Sequence, residues 1–404
     1  MINFVTSGES HGKGLIAVVS GFPANLKITE SEINEQLKRR QAGYGRGLRM
    51  KIESDTAEIF SGIRFNKSIG SPISMLIRNK DWENWTEKMS VGITKDPVEI
   101  ISIPRPGHAD LVGTLKYDYD DIRNSIERSS ARETAARVAA CTVARIFLRE
   151  FGIEIGSYVE SIGGIYPKNN FSGSLFTNSL PKFFSGFELN KLSDASSVRV
   201  LDKEQEKKVI NRIKLAKKRG DSLGGTFFVV ATGLPVGLGS FSEIDSRLDS
   251  ELSKSIMSIQ AVKGVEIGLG FQAANSFGSD VHDEIIFKKD KFTRRTNNAG
   301  GIEGSISTGL PVIIRGAMKP ISTLMTPLNT VDLTTMKKVE SRRERSDFVA
   351  VPACAVIAES MVAWTIAKFF LLKFGGDSLA ETKDNYNNYS QKLVGRVKAK
   401  FRKS

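Results

Sequence analysis

The sequence predicts an α+β fold in two halves of similar topology, with apolar helices buried between layers. Three features predict it. The stretch 133–150 is apolar on most of a helical circumference, and 353–374 is more apolar still, interrupted by Glu359, Ser360 and Lys368. Helices of that kind lie between layers. Short apolar runs bounded by glycine and proline read as strands. The third feature is a weak internal repeat. Val18-Val19-Ser20-Gly21-Phe22-Pro23-Ala24 resembles Val229-Val230-Ala231-Thr232-Gly233-Leu234-Pro235-Val236. Gly62-Ile63 precedes Gly70-Ser71-Pro72-Ile73 as Gly301-Ile302 precedes Gly309-Leu310-Pro311-Val312. Glu127-Arg128-Ser129 has an echo in Glu344-Arg345-Ser346, and an apolar helix with a cysteine follows each. The order is the same, so the halves fall at about 1–150 and 220–372. The two Glu-Arg-Ser corners would then face each other across a site.

Taken in order, 14–20 reads as a strand ending at the Gly21-Phe22-Pro23 turn. Thr29 or Ser31 caps a helix to Arg39 or Arg40, with Ile33 and Leu37 on one face. A loop rich in glycine and arginine follows at 41–49. Strands are expected at 50–53, 57–63 and 72–78, and 80–102 reads as irregular. In Pro104-Arg105-Pro106-Gly107-His108-Ala109-Asp110, two prolines and a glycine nearly fix the path of a loop. Ser129 or Ser130 is the expected N-cap of the 133–150 helix, with Glu133 in its first turn. The span 151–200 carries weak strand signals and is expected to be an insertion between the halves, variable near 167–196. A charged helix is expected over 201–218, a strand over 226–232 and a helix over 241–258. One unit thus covers 1–375, and 376–404 is a polar tail whose basic end, 392–404, is expected to be frayed.

A net charge of +13 and a pI of about 9.5 suit nucleic acid, a membrane surface or a phosphorylated substrate equally well. Hydrophobic content of 40% is enough for a large core. Cys141 and Cys354 lie in apolar helical runs, so they read as core residues and not as a disulfide or zinc site. No signal or transit peptide is recognisable. The polar interruptions of 353–374 make it a buried helix and not a membrane span. The expectation is a cytoplasmic enzyme or binding protein.

Five segments concentrate the residues that do chemistry. In Thr6-Ser7-Gly8-Glu9-Ser10-His11-Gly12-Lys13-Gly14, glycines let backbone and imidazole approach a ligand. A histidine titrates near neutral pH, as proton donation requires. A surface histidine is the competing reading, and no nucleophile elbow is present. Arg39, Arg40, Arg46 and Arg49 surround Gly43, Gly45 and Gly47, a pattern that suits phosphate and carboxylate. A nucleic-acid loop would want more stacking partners than Tyr44. The third segment, 104–137, joins His108 to a helix start flanked by Arg128, Arg132 and Arg137. Helix starts bind anions, and cations there oppose the dipole, so an anion among these arginines is one reading and ordinary surface arginines the other. The fourth runs from Thr296-Asn297-Asn298-Ala299-Gly300-Gly301 through Gly304 to Lys319-Pro320-Ile321-Ser322-Thr323. It looks like a cofactor cradle without Walker spacing, or a plain glycine-rich turn. In the fifth, Arg342-Arg343-Glu344-Arg345-Ser346-Asp347, the arginines hold Asp347 ionised, as a base or as a salt-bridge partner. His282 reads as structural.

Together these segments resemble the chorismate synthase family, from Phe4 to about Phe374. The residues that carry the resemblance are Gly8-Glu9-Ser10-His11-Gly12, Arg39-Arg40-Gln41 to Arg49, Arg105-Pro106-Gly107-His108-Ala109-Asp110, Arg128-Ser129-Ser130-Ala131-Arg132-Glu133-Thr134, Gly264-Val265-Glu266-Ile267-Gly268, Asn298-Ala299-Gly300-Gly301, Lys319-Pro320 and Glu344-Arg345-Ser346-Asp347. The compact arginine loop is similar to the bacterial, monofunctional type. The resemblance implies a helix layer sandwiched between antiparallel sheets, with a pseudo-two-fold repeat, and a homotetramer. It implies a lyase that eliminates phosphate from 5-enolpyruvylshikimate 3-phosphate in a 1,4-anti sense to give chorismate. Reduced FMN is the implied cofactor, with no net redox change.

On the matching positions the resemblance implies that His11 protonates the departing phosphate, that His108 protonates the reduced flavin near N1, and that Asp347 takes the ring proton together with flavin N5. Ser10, Arg40, Arg46, Arg49, Arg132 and Arg345 become substrate contacts. Arg128, Ser129, Ser130, Gln260, Ala261, Gly304, Lys319, Pro320, Ile321, Ser322, Thr323 and Arg345 become FMN contacts. Arg40 and Arg46 match NADPH-contacting positions, with NADPH only an indirect source of reducing equivalents and a separate flavin reductase as partner. Ser305, Leu48 and Ala42 replace residues that are commonly glycine or small, which puts local loop conformation in question.

Two other classes make different demands. An FMN oxidoreductase would consume NADPH in step with turnover. A nucleic-acid-binding protein would need a basic face with interleaved aromatics. The arginines here cluster beside glycines and histidines instead, so neither nucleic acid nor a membrane is the expected partner.

Overall fold

The computed structural model describes residues 1–46, 54–168, 172–176, 185–288, 291–343 and 347–401, the side chains at 172, 291 and 394–401 excepted. The first half opens with β1 (Asn3–Gly8) and β2 (Gly14–Ser20), followed by α1 (Glu30–Gln41). The Thr29 hydroxyl accepts from the Glu32 amide, Glu30 and Glu32 fill the first turn, and Lys38, Arg39 and Arg40 fill the last. Each of these placements favours the helix dipole. Strands β3 (Ala57–Ser61) and β4 (Ile73–Arg78) complete the sheet. Helices α2 (Asp110–Tyr117), α3 (Arg123–Ser129) and α4 (Thr134–Arg149) follow.

The second half contains β5 (Glu154–Ile162), α5 (Gly186–Asp194), α6 (Lys203–Arg219), β6 (Gly225–Thr232), α7 (Leu248–Met257), β7 (Val262–Ile267) and β8 (Val312–Met318). Then come α8 (Val351–Phe374) and α9 (Leu379–Phe401). Both sheets are antiparallel and share one strand order, β1-β2-β4-β3 and β5-β6-β8-β7. The likeness extends to single bonds. The Ser68 hydroxyl donates to Pro23 O at 2.7 Å and accepts from the Leu26 amide at 2.9 Å. The Ser307 hydroxyl donates to Pro235 O at 2.6 Å and accepts from the Leu238 amide at 2.8 Å.

Helix α4 packs on the first sheet, α8 packs on β5 and β6, and the two helices pack on each other. The helix layer therefore lies between antiparallel sheets. α8 has the length and composition of a membrane span, but Glu359 and most of its other residues are buried in this layer. Cys141 and Cys354 are free and buried there.

Several expectations change. The span 151–200 is not chiefly an insertion, because β5 is a nine-residue strand of the second sheet. It is buried on both faces, so it lacks the alternation that marks a strand in sequence. Its outer face is covered by α5, which approaches at Gly156 and Gly186; a Cβ on Gly186 would lie 2.5 Å from Ile155 N. Gly186→Ala is therefore expected to cost about 1–3 kcal/mol, read as a lower urea midpoint.

The helix expected over 241–258 starts only at Leu248. Ser246 donates to Glu243 O and Ser240 bonds Ser242, local pairings that compete with helix. Ser129 ends α3, and Ser130 caps a short turn by accepting from the Arg132 amide. The basic end, expected to be frayed, is helical as far as Phe401, where the described residues stop. Tyr386 and Tyr389 of α9 pack edge-on against Phe374 of α8. Ser305 sits at φ 65, a left-handed conformation that favours glycine, which accounts for the usual residue there. The strand expected at 50–53, Arg49, Leu48 and the 344–346 corner with Arg345 lie outside the described residues.

Candidate active site

The sequence-predicted residues converge on one cavity of about 840 Å³. Ser10, His11, Arg40, Arg46, His108, Ser129, Ser130, Arg132, Gln260, Ala261, Lys319, Ile321, Ser322, Thr323 and Asp347 all line it.

His11 sits in the tight connection between β1 and β2. Its Nδ1 lies 2.8 Å from Glu127 Oε1, and its backbone amide donates to Glu127 Oε2 at 2.7 Å. The Ser10 amide donates to Glu127 O at 3.1 Å. One buried carboxylate thus fixes the loop and the imidazole together. Trp85 stacks on the imidazole with ring centroids 3.9 Å apart. The Glu127 bond engages Nδ1, so proton exchange with a ligand falls to Nε2.

Arg40 and Arg132 share buried Asp55, which accepts from Arg40 Nη1 at 3.1 Å and from Arg132 Nη1. Arg40 also donates to the Thr134 hydroxyl at 2.9 Å and to Ala131 O at 3.0 Å. Burial lowers its pKa to about 10 against the pull of Asp55, and it remains a cation at neutral pH. Ser130 donates to the Ser10 hydroxyl at 3.1 Å, which joins this wall to the His11 loop.

The third wall is the proline-bounded loop before α2. His108 Nδ1 lies 2.5 Å from Asp110 Oδ1, and Arg105 Nε donates to Asp110 Oδ2 at 2.8 Å. Burial opposes charge on Asp110, but hydrogen bonds from His108 and Arg105 hold it well below the usual carboxylate range. The loop is bound to the 319–323 segment. Gly107 O accepts from Lys319 Nζ at 2.5 Å and from the Ser322 hydroxyl at 2.6 Å, and Arg105 Nη1 donates to the Thr323 hydroxyl at 3.0 Å. Gly107 has φ 76, which favours glycine, and a Cβ there would also stand a tight 3.3 Å from Ser322 Oγ.

Gln260 and Ala261 complete the wall beside Met318. Ala261 has φ 68, and its carbonyl accepts from the Lys319 amide at 2.9 Å. Gln260 Nε2 donates to Glu133, while its buried Oε1 has no partner among the described residues. Across the cavity, Arg46 Nη1 pairs with Asp347 Oδ2 at 3.0 Å.

Some predicted residues do not join. Arg128 is turned to β1, where it donates to Thr6 O and Gly8 O. Gly304 is at the tip of the 302–307 hairpin, and neither it nor Pro320 is in the lining. Arg137 pairs with Glu133, and Arg39 points to Glu359. Of the three arginines expected around one anion, only Arg132 faces the cavity.

Sequence reasoning gave no role to Asp55, Trp85, Arg105, Asp110, Arg123 or Glu127, all of which line the cavity or hold its side chains. Arg105, Asp110 and Glu127 stood inside quoted motifs and could have been found as carboxylate and guanidinium partners. Asp55 and Trp85 stand in stretches with no local signal.

The chorismate synthase family model matches residues 2–371. The chorismate synthase of Chlorobaculum tepidum is 55% identical over 397 residues, covering 97% of this chain and 98% of that protein. That of Aquifex aeolicus is 51% identical over 390 residues, covering 96% and 97%. A crystal structure of chorismate synthase superposes with a TM-score of 0.79 at 41% identity, over 98% of both chains. With likeness of that extent in sequence and fold, this chain belongs to the chorismate synthase family of enzymes, which form chorismate in the shikimate pathway.

Proposed function

We propose that the chain eliminates phosphate from 5-enolpyruvylshikimate 3-phosphate in a 1,4-anti sense to give chorismate, using reduced FMN. The observation that carries this reading is a pair of histidines, each held through Nδ1 by a buried carboxylate, on the wall of one arginine-rich cavity. A phosphate leaving group needs a general acid and cations. His11 is the acid for the departing phosphate oxygen. Arg40, Arg46 and Arg132, with Ser10, bind the phosphate and carboxylates of the substrate. Arg49 and Arg345 belong to the same reading. Ile126, Ile259, Ile321 and Ile357 line the same cavity, and an apolar lining makes the cations worth more than in water. Asp347, paired with Arg46, is the base for the ring proton. Cys354 also lines the cavity, but burial pushes its thiol up to about 12, so it is no nucleophile.

The residues present fit FMN. The unpartnered Gln260 Oε1 is an acceptor waiting for a donor, and Ala261 beside it holds a strained backbone that a ligand contact would explain. Ser129, Ser130, Gln260, Ala261, Lys319, Ile321, Ser322 and Thr323 would hold the cofactor. Arg128, Gly304 and Pro320 would support it from outside the lining. When bound, reduced FMN supplies transient electron donation with no net redox change. His108, oriented by Asp110 through Nδ1, presents Nε2 for proton transfer to the flavin in this reading. A homotetramer, a separate flavin reductase fed by NADPH, and a cytoplasmic location go with this reading.

The test is an anaerobic assay with reduced FMN and the enolpyruvyl substrate, following chorismate absorbance and phosphate release. Equal amounts of both are expected, without NADPH consumption. No product under reducing conditions overturns the reading, and NADPH use in step with turnover points to an oxidoreductase.

A further inference from the structure

We propose that Asn79 is a positioning residue that sets the spacing between the Ser10-His11 loop and the Arg132 guanidinium. The proposal rests on the reading of His11 as acid and Arg132 as anion contact.

Asn79 follows β4 directly and is 4% exposed. The two hydrogens on its Nδ2 are shared among Gly12 O at 2.7 Å, Glu9 O at 3.1 Å and Ser10 O at 3.2 Å. Its Oδ1 accepts from Arg132 Nε at 3.0 Å and Arg132 Nη2 at 2.9 Å. Its backbone amide donates to Lys13 O at 3.2 Å. The orientation of the amide is forced. A flip would aim the NH₂ group at a guanidinium and the oxygen at three carbonyls.

This pattern needs donors at one end of a short neutral side chain and an acceptor at the other, which is asparagine chemistry. Leucine would supply neither. Aspartate would keep the arginine bonds and repel the carbonyls.

The two ends of Asn79 meet different parts of the proposed machinery. Glu127 grips the His11 loop from the α3 side and fixes the imidazole. Asn79 grips the same loop from the β4 side through the carbonyls of Glu9, Ser10 and Gly12. Asp55 takes Arg132 Nη1, so Asn79 and Asp55 together fix the plane of that guanidinium. Without Asn79 the Arg132 guanidinium loses its direct tie to the loop, and the Ser130–Ser10 bond joins only the backbone of that wall to it. An acid must come within hydrogen-bond reach of the oxygen that a cation holds. A misplacement of about 1 Å commonly costs about 10²-fold in rate.

The test uses the full chain and Asn79→Asp, which keeps the shape and the Arg132 bonds while removing the donors. Amide hydrogen exchange is read without substrate or flavin, beside kcat and the thermal midpoint. Exchange at Ser10, His11 and Gly12 is expected to speed up by about tenfold or more, with the β2 amides protected as in the parent. The expected fall in kcat is about 10²-fold. Unchanged exchange in the loop, or kcat near that of the parent, overturns the proposal. So does loss of protection throughout the first sheet, which marks a purely structural role. If Asn79→Asp does not fold, Asn79→Ala is read in the same way, and failure of both to fold also defeats it. The exchange result is independent of the proposed reaction, so an inactive parent protein would refute that reaction and leave the spacing question decided.

Discussion

Replacing His11 by alanine is expected to lower turnover by about 10²–10⁴-fold, and His108→Ala to do the same, because each removes a positioned proton carrier. The expectation rests on how the rings are held. His11 is fixed by Glu127 at Nδ1 and by Trp85 across its face. His108 is fixed by Asp110, whose charge Arg105 secures. Neither ring contributes to the apolar core, so both variants should fold with a urea midpoint close to that of the parent. Steady-state kinetics with saturating reduced FMN measures the effect. Near-normal rates in both variants would remove these residues from the chemistry without touching the family assignment. His282, which lies off the cavity lining, is the control whose alanine variant should keep its rate.

The sequence carried the fold well where a local period existed and poorly where burial erased it. β2 and β4 alternate between buried and exposed positions, and both were placed within a residue or two. β5 is covered on both faces and gave no alternation. α9 looked like a polar tail because its contact with α8 uses two tyrosines separated by polar residues. The repeat was legible because each half needs the same turn glycines: Gly21 and Gly233 both have positive φ, as do Gly62 and Gly301.

The site divides in the same way. Arginines, histidines and glycines stand out in sequence because they are costly to place without a reason. The residues that aim them do not. Asp55 reaches Arg40 and Arg132 from beyond the arginine loop, and Asn79 reaches Arg132 from the end of a strand. Such partners are chosen by tertiary distance, which no spacing along the chain records. Arg128 shows the converse: its motif suggested a ligand, yet its guanidinium is spent on the carbonyls of β1.

Removing Glu359 is expected to be the most destabilising single change of those considered, at about 3–5 kcal/mol for Glu359→Ala. Glu359 is fully buried near the middle of α8. It accepts from Arg39 Nη1 and Nη2 at 2.9 and 3.0 Å, Arg145 Nη1 at 2.8 Å, Arg199 Nη2 at 3.0 Å and the Ser157 hydroxyl at 2.6 Å. One carboxylate thus ties α8 to α1, α4, β5 and the segment before α6. Its loss leaves three clustered guanidiniums with one carboxylate, Asp194, which pairs with Arg39 and Arg199, and cavity formation adds to the cost. Arg145→Ala should cost less, because Glu359 would keep two of its cations.

The pH dependence has a definite sign. Burial opposes charge on Glu359, but Arg39, Arg145 and Arg199 outweigh it and lower its pKa from 4.5 to about 2. A carboxylate depressed in the folded state contributes fully above its unfolded value and loses that contribution as pH falls. The stability difference between parent and Glu359→Ala should therefore be constant from pH 7 to about 5 and shrink between about 4.5 and 2. Urea unfolding at a series of pH values measures it. A difference that grows on acidification would mean that the cluster is not held by an ionised Glu359. The cluster also bears on the site, because Arg39 and Arg40 are neighbours at the end of α1 and diverge, one to Glu359 and one to Asp55. The buried pair on the core side fixes the helix end from which the cavity-facing arginine projects.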